Sequence, residues 1–306
     1  TVRPYVEAQL PAWLQPRWFS NRDEALALAP GAQIGWFDMY DKEGMSAAVT
    51  GATDMRWLSS MIAGMEHLPL DTLHKRRVTV TNGAGINAVT IAEYVVMGML
   101  TIAKGYREVV RAQDRHDWLK DAPGKIELAG SCALVLGYGT IGKLVQRRLQ
   151  AFEVDVTVVR RQATGAANVL GPRQWRARLG DFDWVILAVP ATDETRHMIG
   201  ADELAAMKRS AVLLNVARGS VVDQDALVQA LQARSIGAAF LDVMEPEPLP
   251  ADHVLWTLDN AHITMHLSGR SQDRMVERAA RRFIDNLALY RAGEPLHFKV
   301  DLTQGY

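Results

Sequence analysis

The chain has 306 residues, of which 48% are hydrophobic and 23% are charged, and its formal net charge is −1. This near-neutral balance gives no electrostatic basis for binding nucleic acid or an anionic membrane, and no apolar run approaches the ~20 residues of a membrane span. A single cysteine, Cys132, excludes an intrachain disulfide framework. It favours a reducing compartment, and we expect a cytoplasmic protein with room for two domains. No signal peptide is evident at Thr1, but the chain starts without Met, so residues can be missing before it.

The first part of the chain predicts a small α/β unit without a glycine fingerprint of its own. Residues 1–30 contain no clean opening strand, and a short helix is expected over 23–28. Apolar runs that end near polar or glycine residues predict strands over 32–38, 55–61 and 77–81.

A long helical pattern then covers residues 89–115 and is apolar nearly all round in its first half. Such a helix is buried, and we expect it to lie between two domains or subunits. Strands that alternate with helices follow, which predicts βαβ units in a parallel sheet. The expected strands cover 133–136, 154–159, 184–189, 211–216, 237–242 and 261–265, and the expected helices include 201–208, 224–234 and 270–291.

Three glycines in a G-x-G-x-x-G pattern stand between an apolar run and a helical pattern. Gly137 allows the tight turn, Gly139 lets the backbone approach a pyrophosphate, and Gly142 lets helix and strand pack closely. The start of the helix offers free N–H groups to phosphate oxygens. A glycine-rich turn of any α/β protein is the alternative, but the flanking strand and helix favour a dinucleotide site.

Three side chains that can carry chemistry lie at or beyond predicted strand ends, where parallel sheets bind ligands. Arg218 is interpreted as a planar fork for a substrate carboxylate, or else as part of a structural ion pair. Glu247 stands between two prolines that could hold it rigidly, or in a surface turn. His266 by itself is typical of a satisfied structural histidine. Together, the three indicate a proton- and hydride-transfer site beside a nicotinamide.

At this point the sequence resembles the D-isomer-specific 2-hydroxyacid dehydrogenases, from about Ile62 onward. That family's Arg, Glu and His fall on Arg218, Glu247 and His266. The resemblance rests on ordered segments at 128–130, 137–142, 215–219, 242–243, 247–248 and 266.

The resemblance implies an α/β fold in which a Rossmann cofactor domain is inserted into a smaller, flavodoxin-like α/β substrate domain. The substrate domain would comprise 1–97 and 278–306, and the cofactor domain 98–277. The site would lie in the cleft, with the helix from Val89 and the final helix as hinges. A homodimer through the cofactor domain is also implied.

The family pattern further assigns contacts to individual residues, and it implies no metal site. The substrate would meet the backbone of Ala63 and Gly64, in the loop 62–66, together with Arg218 and His266. Asp242 would hold the nicotinamide carboxamide. The remaining cofactor contacts would come from Gly137, Tyr138, Gly139, Thr140, Ile141, Gly142, Arg160, Arg161, Val189, Pro190, Val216, Ala217, His266, Ser268 and Gly269.

Two departures from the family pattern stand out. The family often has Pro directly before its catalytic His, where this chain has Met265, so a looser turn is expected. The family's first substrate-domain strand is not evident near Thr1, which is typical of a truncated or diverged N-terminus.

The predicted second strand of the cofactor domain indicates which nicotinamide cofactor binds. NAD sites usually carry Asp or Glu where this strand ends, but here Arg160 and Arg161 stand there and Asp155 lies near its start. Arginine attracts the 2′-phosphate that a carboxylate would repel, so NADP(H) is expected in preference to NAD(H). Two surface charges after a strand are the alternative.

The reaction implied is reversible reduction of a small 2-keto acid to its D-2-hydroxy acid, with glyoxylate and hydroxypyruvate as first candidates. Formate and phosphite dehydrogenases share the architecture, but formate dehydrogenases have an uncharged amide in place of Glu247. A nucleotide-sensing binding protein, like the related transcriptional corepressors, is the other alternative. The absence of long polar tails from the sequence disfavours it.

Overall fold

The computed structural model describes residues 2–65, 67–161, 166, 168–270 and 273–302. The chain forms two compact units. The smaller unit combines Thr1–Asn87 with Gln272–Tyr306, and the larger unit is Ala88–Ser271.

The smaller unit begins with helices and short strands. In chain order these are α1 (Arg3–Val6), α2 (Arg22–Leu28), β1 (Ile34–Gly35), α3 (Lys42–Gly51), β2 (Trp57–Ser59), α4 (Leu70–Lys75) and β3 (Thr79–Thr81). The predicted strands and the helix over 23–28 are confirmed, although the strands are shorter than predicted. The sequence analysis missed α3. Asp41 marks the start of this helix, since its carboxylate accepts a hydrogen bond from the Gly44 N–H.

The three strands of the smaller unit pair in parallel and in chain order. Leu58 of β2 faces a core that includes Met45 of α3 and Val80 of β3. A flavodoxin-like sheet, with strand order 2-1-3-4-5, also ends in three strands that stand side by side in chain order. The α/β class predicted for this unit is confirmed.

The larger unit contains most of the helices and strands that the sequence predicts. They are α5 (Ala88–Ala103), α6 (Tyr106–Asp114), β4 (Cys132–Leu136), α7 (Thr140–Gln150), β5 (Asp155–Val159), β6 (Val169–Leu170), β7 (Trp184–Leu187), α8 (Ala201–Ala206), β8 (Val212–Asn215), α9 (Gln224–Gln232), β9 (Ala238–Leu241) and β10 (Ala261–Ile263). Of these, β6 was not predicted, because it has two residues and too little pattern to detect.

A parallel sheet in the order β10-β9-β8-β7-β4-β5-β6 organises the larger unit. Counted from β4, this is the Rossmann order 3-2-1-4-5-6 with a further strand at one edge. Leu134 and Leu136 face one hydrophobic core, and Ala133 and Val135 face the other. The order reverses between β4 and β7, and a ligand binds at the carboxyl ends of the strands at such a point.

The single helix predicted over 89–115 is wrong, because the structure has two helices that meet at a bend of 70°. Gly105 lies between them with φ +61°, and a Cβ atom there would come 2.9 Å from the Gly124 nitrogen. The left-handed backbone at this glycine ends the α-helical path. One face of α5 is buried and packs on α7 within its own unit, whereas Met97 is 42% exposed, so the helix is not buried on all sides.

No single helix among the described residues is both long and apolar enough to cross a membrane. The bent pair α5 and α6 passes that test of length and composition when the two are taken together.

The final helix, α10 (Met275–Ala292), belongs to the smaller unit. Its Phe283 ring lies 5.3 Å from the ring of Trp57 in β2, so α10 covers the face of the sheet opposite Leu58. The compact units end at 87/88 and 271/272, whereas the predicted domain limits, 97/98 and 277/278, fall inside α5 and α10. Each of these helices packs as a whole in one unit, so a limit inside a helix would divide a hydrophobic core.

Candidate active site

The glycine turn lies at the carboxyl end of β4, beside the point where the strand order reverses. Gly137 has φ +102°, and a Cβ atom there would come 2.4 Å from the carbonyl oxygen of Ala188. A Cβ atom at Gly142 would come 2.0 Å from the carbonyl oxygen of Gly137. The turn itself therefore requires glycine at both positions.

At Gly139, by contrast, neither the backbone conformation nor a neighbouring atom requires glycine. Its φ of −79° suits any residue, and a Cβ atom would meet no other atom within 4 Å. The residue precedes α7, whose first turn lacks a side-chain cap. Open space beside uncapped helical N–H groups fits a pyrophosphate, so this turn fits a nicotinamide dinucleotide.

The two arginines predicted to select the cofactor follow β5 directly, and both are exposed. The Arg160 N–H donates to the Leu170 carbonyl at 3.1 Å, which ties this end of β5 to β6. Asp155 begins the strand at its opposite end. Residues 162–165 lie outside the described residues.

Other predicted cofactor contacts also follow strands of the sheet. Val189 and Pro190 come after β7, next to the glycine turn, and Val216 and Ala217 are buried directly after β8. The Tyr138 hydroxyl donates to Gln146 of α7 at 2.6 Å, which fixes its ring beside the turn.

Arg218 is held in a short turn after β8 by the buried Asn215. The Asn215 side chain donates to the Arg218 carbonyl at 2.9 Å and accepts from the Ala217 N–H at 3.0 Å. A Cβ atom at Gly219 would lie 2.1 Å from the carbonyl carbon of Met244. Glycine at this position therefore lets the Arg218 turn approach the loop that carries Glu247.

Glu247 and His266 form a hydrogen-bonded pair, with 2.7 Å between Glu247 Oε2 and His266 Nδ1. The other carboxylate oxygen, Oε1, accepts from the Met244 N–H at 3.1 Å. Because an ionised carboxylate can only accept, Nδ1 carries the proton of this bond. That arrangement leaves Nε2 as the nitrogen that can exchange a proton with a substrate.

The surroundings of Glu247 keep it charged. Partial burial acts to raise the pKa of its carboxyl, but hydrogen bonds from His266 and the Met244 N–H bring it below the ordinary value. The charges of His266 and Arg218 act in the same direction. Glu247 is therefore a carboxylate at neutral pH, as orientation and stabilisation of an imidazolium require.

Asp242 is buried and organises the loop that carries His266. Its Oδ1 accepts from the Thr264 hydroxyl at 2.7 Å and from the Leu267 N–H at 3.0 Å, and its Oδ2 accepts from the Ser268 hydroxyl. Both Asp242 and Ser268 are at most 2% exposed. The side chains of Asp242 and Ser268 therefore bond to each other in this structure. The cofactor contacts predicted for them stay predictions.

The looser turn expected at Met265 is wrong. Met265 and His266 have φ values of +51° and +56°, and proline, whose φ is near −65°, could not occupy the first position. The bonds to Asp242 hold this left-handed pair in place. Methionine therefore permits a different turn from the one proline would give.

In the smaller unit, the loop 61–65 follows β2. The Ala63 carbonyl accepts from Asn82 Nδ2 at 2.9 Å, and the Ile62 carbonyl accepts from the Gly83 N–H at 2.9 Å. Within the described part of the chain, the Ala63 and Gly64 N–H groups donate no hydrogen bond. Glu66, at the end of the predicted loop, lies outside the described residues.

Sequence reasoning missed the residues that hold the candidate catalytic side chains in place. Asn215 lies in the segment 215–219 but was given no role, although Asn side chains commonly bond to the backbone two residues onward. Thr264 gave no local signal, since its partner, Asp242, is distant in sequence. Among the residues that the structure describes, no three His, Cys, Asp or Glu side chains are placed to share a metal ion.

Comparison with known proteins supports the same assignment. Residues 96–268 match the family model for the NAD-binding domain of D-isomer-specific 2-hydroxyacid dehydrogenases. A glyoxylate/hydroxypyruvate reductase B from Yersinia pestis (strain Pestoides F) is 32% identical over 276 residues, which cover 87% of this chain and 83% of that protein.

Two crystal structures resemble the whole chain. A D-isomer-specific 2-hydroxyacid dehydrogenase family protein from Aeromonas salmonicida subsp. salmonicida A449 has a TM-score of 0.81 and 30% identity, over 93% of this chain and 90% of that one. A D-isomer-specific 2-hydroxyacid dehydrogenase from Xanthobacter autotrophicus Py2, in complex with NADPH and MES, has a TM-score of 0.77 and 26% identity, over 100% of this chain and 95% of that one.

The family model covers more than half of the chain, and the sheet order and glycine turn are those of its nucleotide-binding fold. The chain therefore belongs to the D-isomer-specific 2-hydroxyacid dehydrogenase family of NAD(P)-dependent oxidoreductases.

Proposed function

We propose that this protein reduces small 2-keto acids of the glyoxylate and hydroxypyruvate type to D-2-hydroxy acids, with NADPH as the preferred cofactor. The observation that carries the proposal is the 2.7 Å pair of Glu247 and His266, close to the positive charge of Arg218. The 32% identity to a glyoxylate/hydroxypyruvate reductase supports the substrate class.

Each residue of this group has a separate task. The Arg218 guanidinium binds the substrate carboxylate and polarises the keto oxygen, because its planar fork can serve two oxygens. Protonated His266 donates from Nε2 to the oxygen as it becomes a hydroxyl. Glu247 orients the imidazole through Nδ1 and stabilises its positive charge. The Ala63 and Gly64 N–H groups bind the substrate carboxylate.

The nicotinamide of NADPH, when bound, supplies the hydride that reaches the keto carbon. Gly137, Gly139 and Gly142 and the start of α7 would hold its pyrophosphate. Arg160 and Arg161 would bind the 2′-phosphate, since both are exposed at the carboxyl end of β5.

The formate dehydrogenase alternative is disfavoured by Glu247. A negatively charged partner stabilises the imidazolium that keto-acid reduction needs, whereas hydride removal from formate yields CO₂ and requires no proton donor. Measured turnover of a keto acid distinguishes an enzyme from the nucleotide-sensing alternative, which would bind the cofactor without turnover.

The test is steady-state NADPH oxidation with glyoxylate, hydroxypyruvate and pyruvate, followed by chiral analysis of products that have a stereocentre. We expect turnover on the first two and the D enantiomer. NADPH binding without turnover of any keto acid would instead support the nucleotide-sensing alternative.

The cofactor preference has its own test. Arg160→Asp should raise KM for NADPH and lower KM for NADH, with little change in kcat, because the 2′-phosphate is remote from the reacting carbon. Equal kcat/KM for the two cofactors in the parent enzyme would contradict the role of Arg160.

We also propose a homodimer formed through the larger unit. Apolar side chains of that unit are unusually exposed, with Trp118 at 92%, Tyr106 at 57% and Val110 at 38%. Tyr106, Val109 and Val110 share a face of α6 by their spacing. Burial of such side chains against a second copy would remove them from water.

A further inference from the structure

Asp38 in the smaller unit links the end of β1 to the loop after β2. Its Oδ1 accepts from the Ser60 hydroxyl at 2.6 Å, and its Oδ2 accepts from the Met61 N–H and from the Trp36 indole at 2.7 Å. Ser60 Oγ in turn accepts from the Ile62 N–H at 3.0 Å. One carboxylate therefore holds the first residues of the loop, directly and through Ser60.

The other side of this loop is held by the segment after β3. Asn82 and Gly83 bond the carbonyls of Ala63 and Ile62, and a Cβ atom at Gly83 would lie 1.9 Å from the Met61 carbonyl oxygen. The backbone is thus fixed from both sides. The N–H groups of Ala63 and Gly64, which are consecutive in sequence, donate no hydrogen bond within the described residues, and both residues are at least partly exposed.

We propose that Asp38 is a positioning residue for substrate binding, which acts through Ser60 and Met61 to set the Ala63 and Gly64 N–H groups as a preorganised pair for the substrate carboxylate. This inference rests on the proposed function, since the substrate carboxylate is its ligand. Preorganised N–H donors bind an anion without the cost of ordering the loop at the moment of binding.

The chemistry of Asp38 favours a positioning role over a purely stabilising one. Burial raises the pKa of its carboxyl, against the hydrogen bonds from Met61, Ser60 and Trp36 that act to lower it. A partly buried carboxylate that must be desolvated is a poor source of net stability. Its three donors do, however, specify one loop conformation.

The amide of asparagine can reproduce this arrangement. Its oxygen can accept from Met61 and Trp36, and its NH₂ group can donate to Ser60 Oγ. Alanine provides neither group. Asp38→Asn should therefore preserve the loop, and Asp38→Ala should release it.

Asp41 is the matched control, because it is an aspartate in the same segment between β1 and α3. Its carboxylate accepts from the Gly44 N–H at the start of α3 and pairs with Arg22. Asp41→Ala thus removes a helix cap of the same unit, and within the described structure Asp41 makes no hydrogen bond or ion pair with residues 60–64.

The experiment measures KM for glyoxylate, KM for NADPH and kcat, together with amide hydrogen exchange of residues 60–64 by mass spectrometry. Asp38→Ala should raise KM for glyoxylate about tenfold, because about one contact with the substrate carboxylate is lost. The values of kcat and of KM for NADPH should stay near those of the parent enzyme. Exchange at 60–64 should accelerate. Asp38→Asn and Asp41→Ala should match the parent in KM and in exchange.

An Asp38→Ala protein that folds with the parent's KM would overturn the inference. Equal increases of KM in Asp38→Asn, or in Asp41→Ala, would do the same, because general destabilisation would then explain the effect. If Asp38→Ala does not fold, Ser60→Ala takes its place, and parental KM and exchange in that variant would count against the inference.

The hydrogen exchange separates this inference from the proposed function. If the parent turns over no keto acid, the proposed function fails, while faster exchange in Asp38→Ala would still show that Asp38 fixes the loop. If the parent is active and exchange accelerates without a change in KM, the positioning role fails alone.

Discussion

At the scale of single residues, the guanidinium of Arg218 is the group that a conservative change tests most directly. Arg218→Lys keeps the charge but replaces a planar fork with a point donor. We expect kcat/KM for glyoxylate to fall by an amount equivalent to about 1.5–3 kcal/mol, the range for a hydrogen bond to a charged group. If steady-state kinetics show this fall while Tm and KM for NADPH are unchanged, the lost interaction is one between Arg218 and the substrate. Near-parental kcat/KM would remove Arg218 from the site.

The Glu247–His266 pair predicts the pH dependence of the reaction. Reduction should decline as pH rises, because the imidazolium that donates the proton is lost, and oxidation should show the opposite trend. Glu247→Gln should move the reductive limb to lower pH, since Glu247 is charged at neutral pH and the amide cannot stabilise the imidazolium. His266→Gln should bind NADPH but fail to reduce glyoxylate.

The measurement is kcat/KM for reduction from about pH 5 to pH 9, a window on both sides of the neutral pH at which general acids and bases operate. The hydrogen bonds to Glu247 hold the pKa of its carboxyl below its ordinary value, so it takes up a proton only on the acid side of this window. A Glu247→Gln profile that superimposes on the parent's would show that another group donates the proton.

At the scale of one element, the turn between β4 and α7 contains two glycines with different roles. We expect Gly142 to be needed for folding and Gly139 to be needed for binding the cofactor. Gly142→Ala should lower Tm, because its Cβ atom would overlap the Gly137 carbonyl. Gly139→Ala should keep the parent's Tm, because its Cβ atom would meet only open space. It should nevertheless weaken NADPH binding, since the methyl group would lie where the pyrophosphate approaches.

These two variants are each other's controls. Thermal unfolding without cofactor and titration of NADPH fluorescence measure the two properties separately. Parental NADPH affinity in Gly139→Ala would place the pyrophosphate elsewhere.

At the scale of the whole molecule, the exposed apolar side chains of the larger unit predict the oligomeric state. The parent should be a dimer in light scattering coupled to size exclusion, and Trp118→Glu should shift it toward half that mass, because a buried unpaired carboxylate is costly. Tyr40→Glu is the control, as Tyr40 is fully exposed in the smaller unit and should leave the mass unchanged. A monomeric parent would contradict the proposed interface.

Local patterns in the sequence by themselves determined much of this protein. The alternating strands and helices, together with the glycine turn, were enough to predict a Rossmann sheet, because buried parallel strands form continuous apolar runs such as 133–136. The positions of Arg218, Glu247 and His266 could be predicted to converge, since the carboxyl ends of parallel strands meet at one edge of a sheet.

Tertiary structure decided the features that depend on contacts between distant segments. The break at Gly105 follows from a left-handed backbone packed against Gly124, and helical periodicity continues across it undisturbed. Asp242 holds the His266 loop, and Asp38 holds the loop after β2, through partners more than twenty residues away. Periodicity reports which side chains are buried, but the pairing of a polar group depends on which loops the fold brings together.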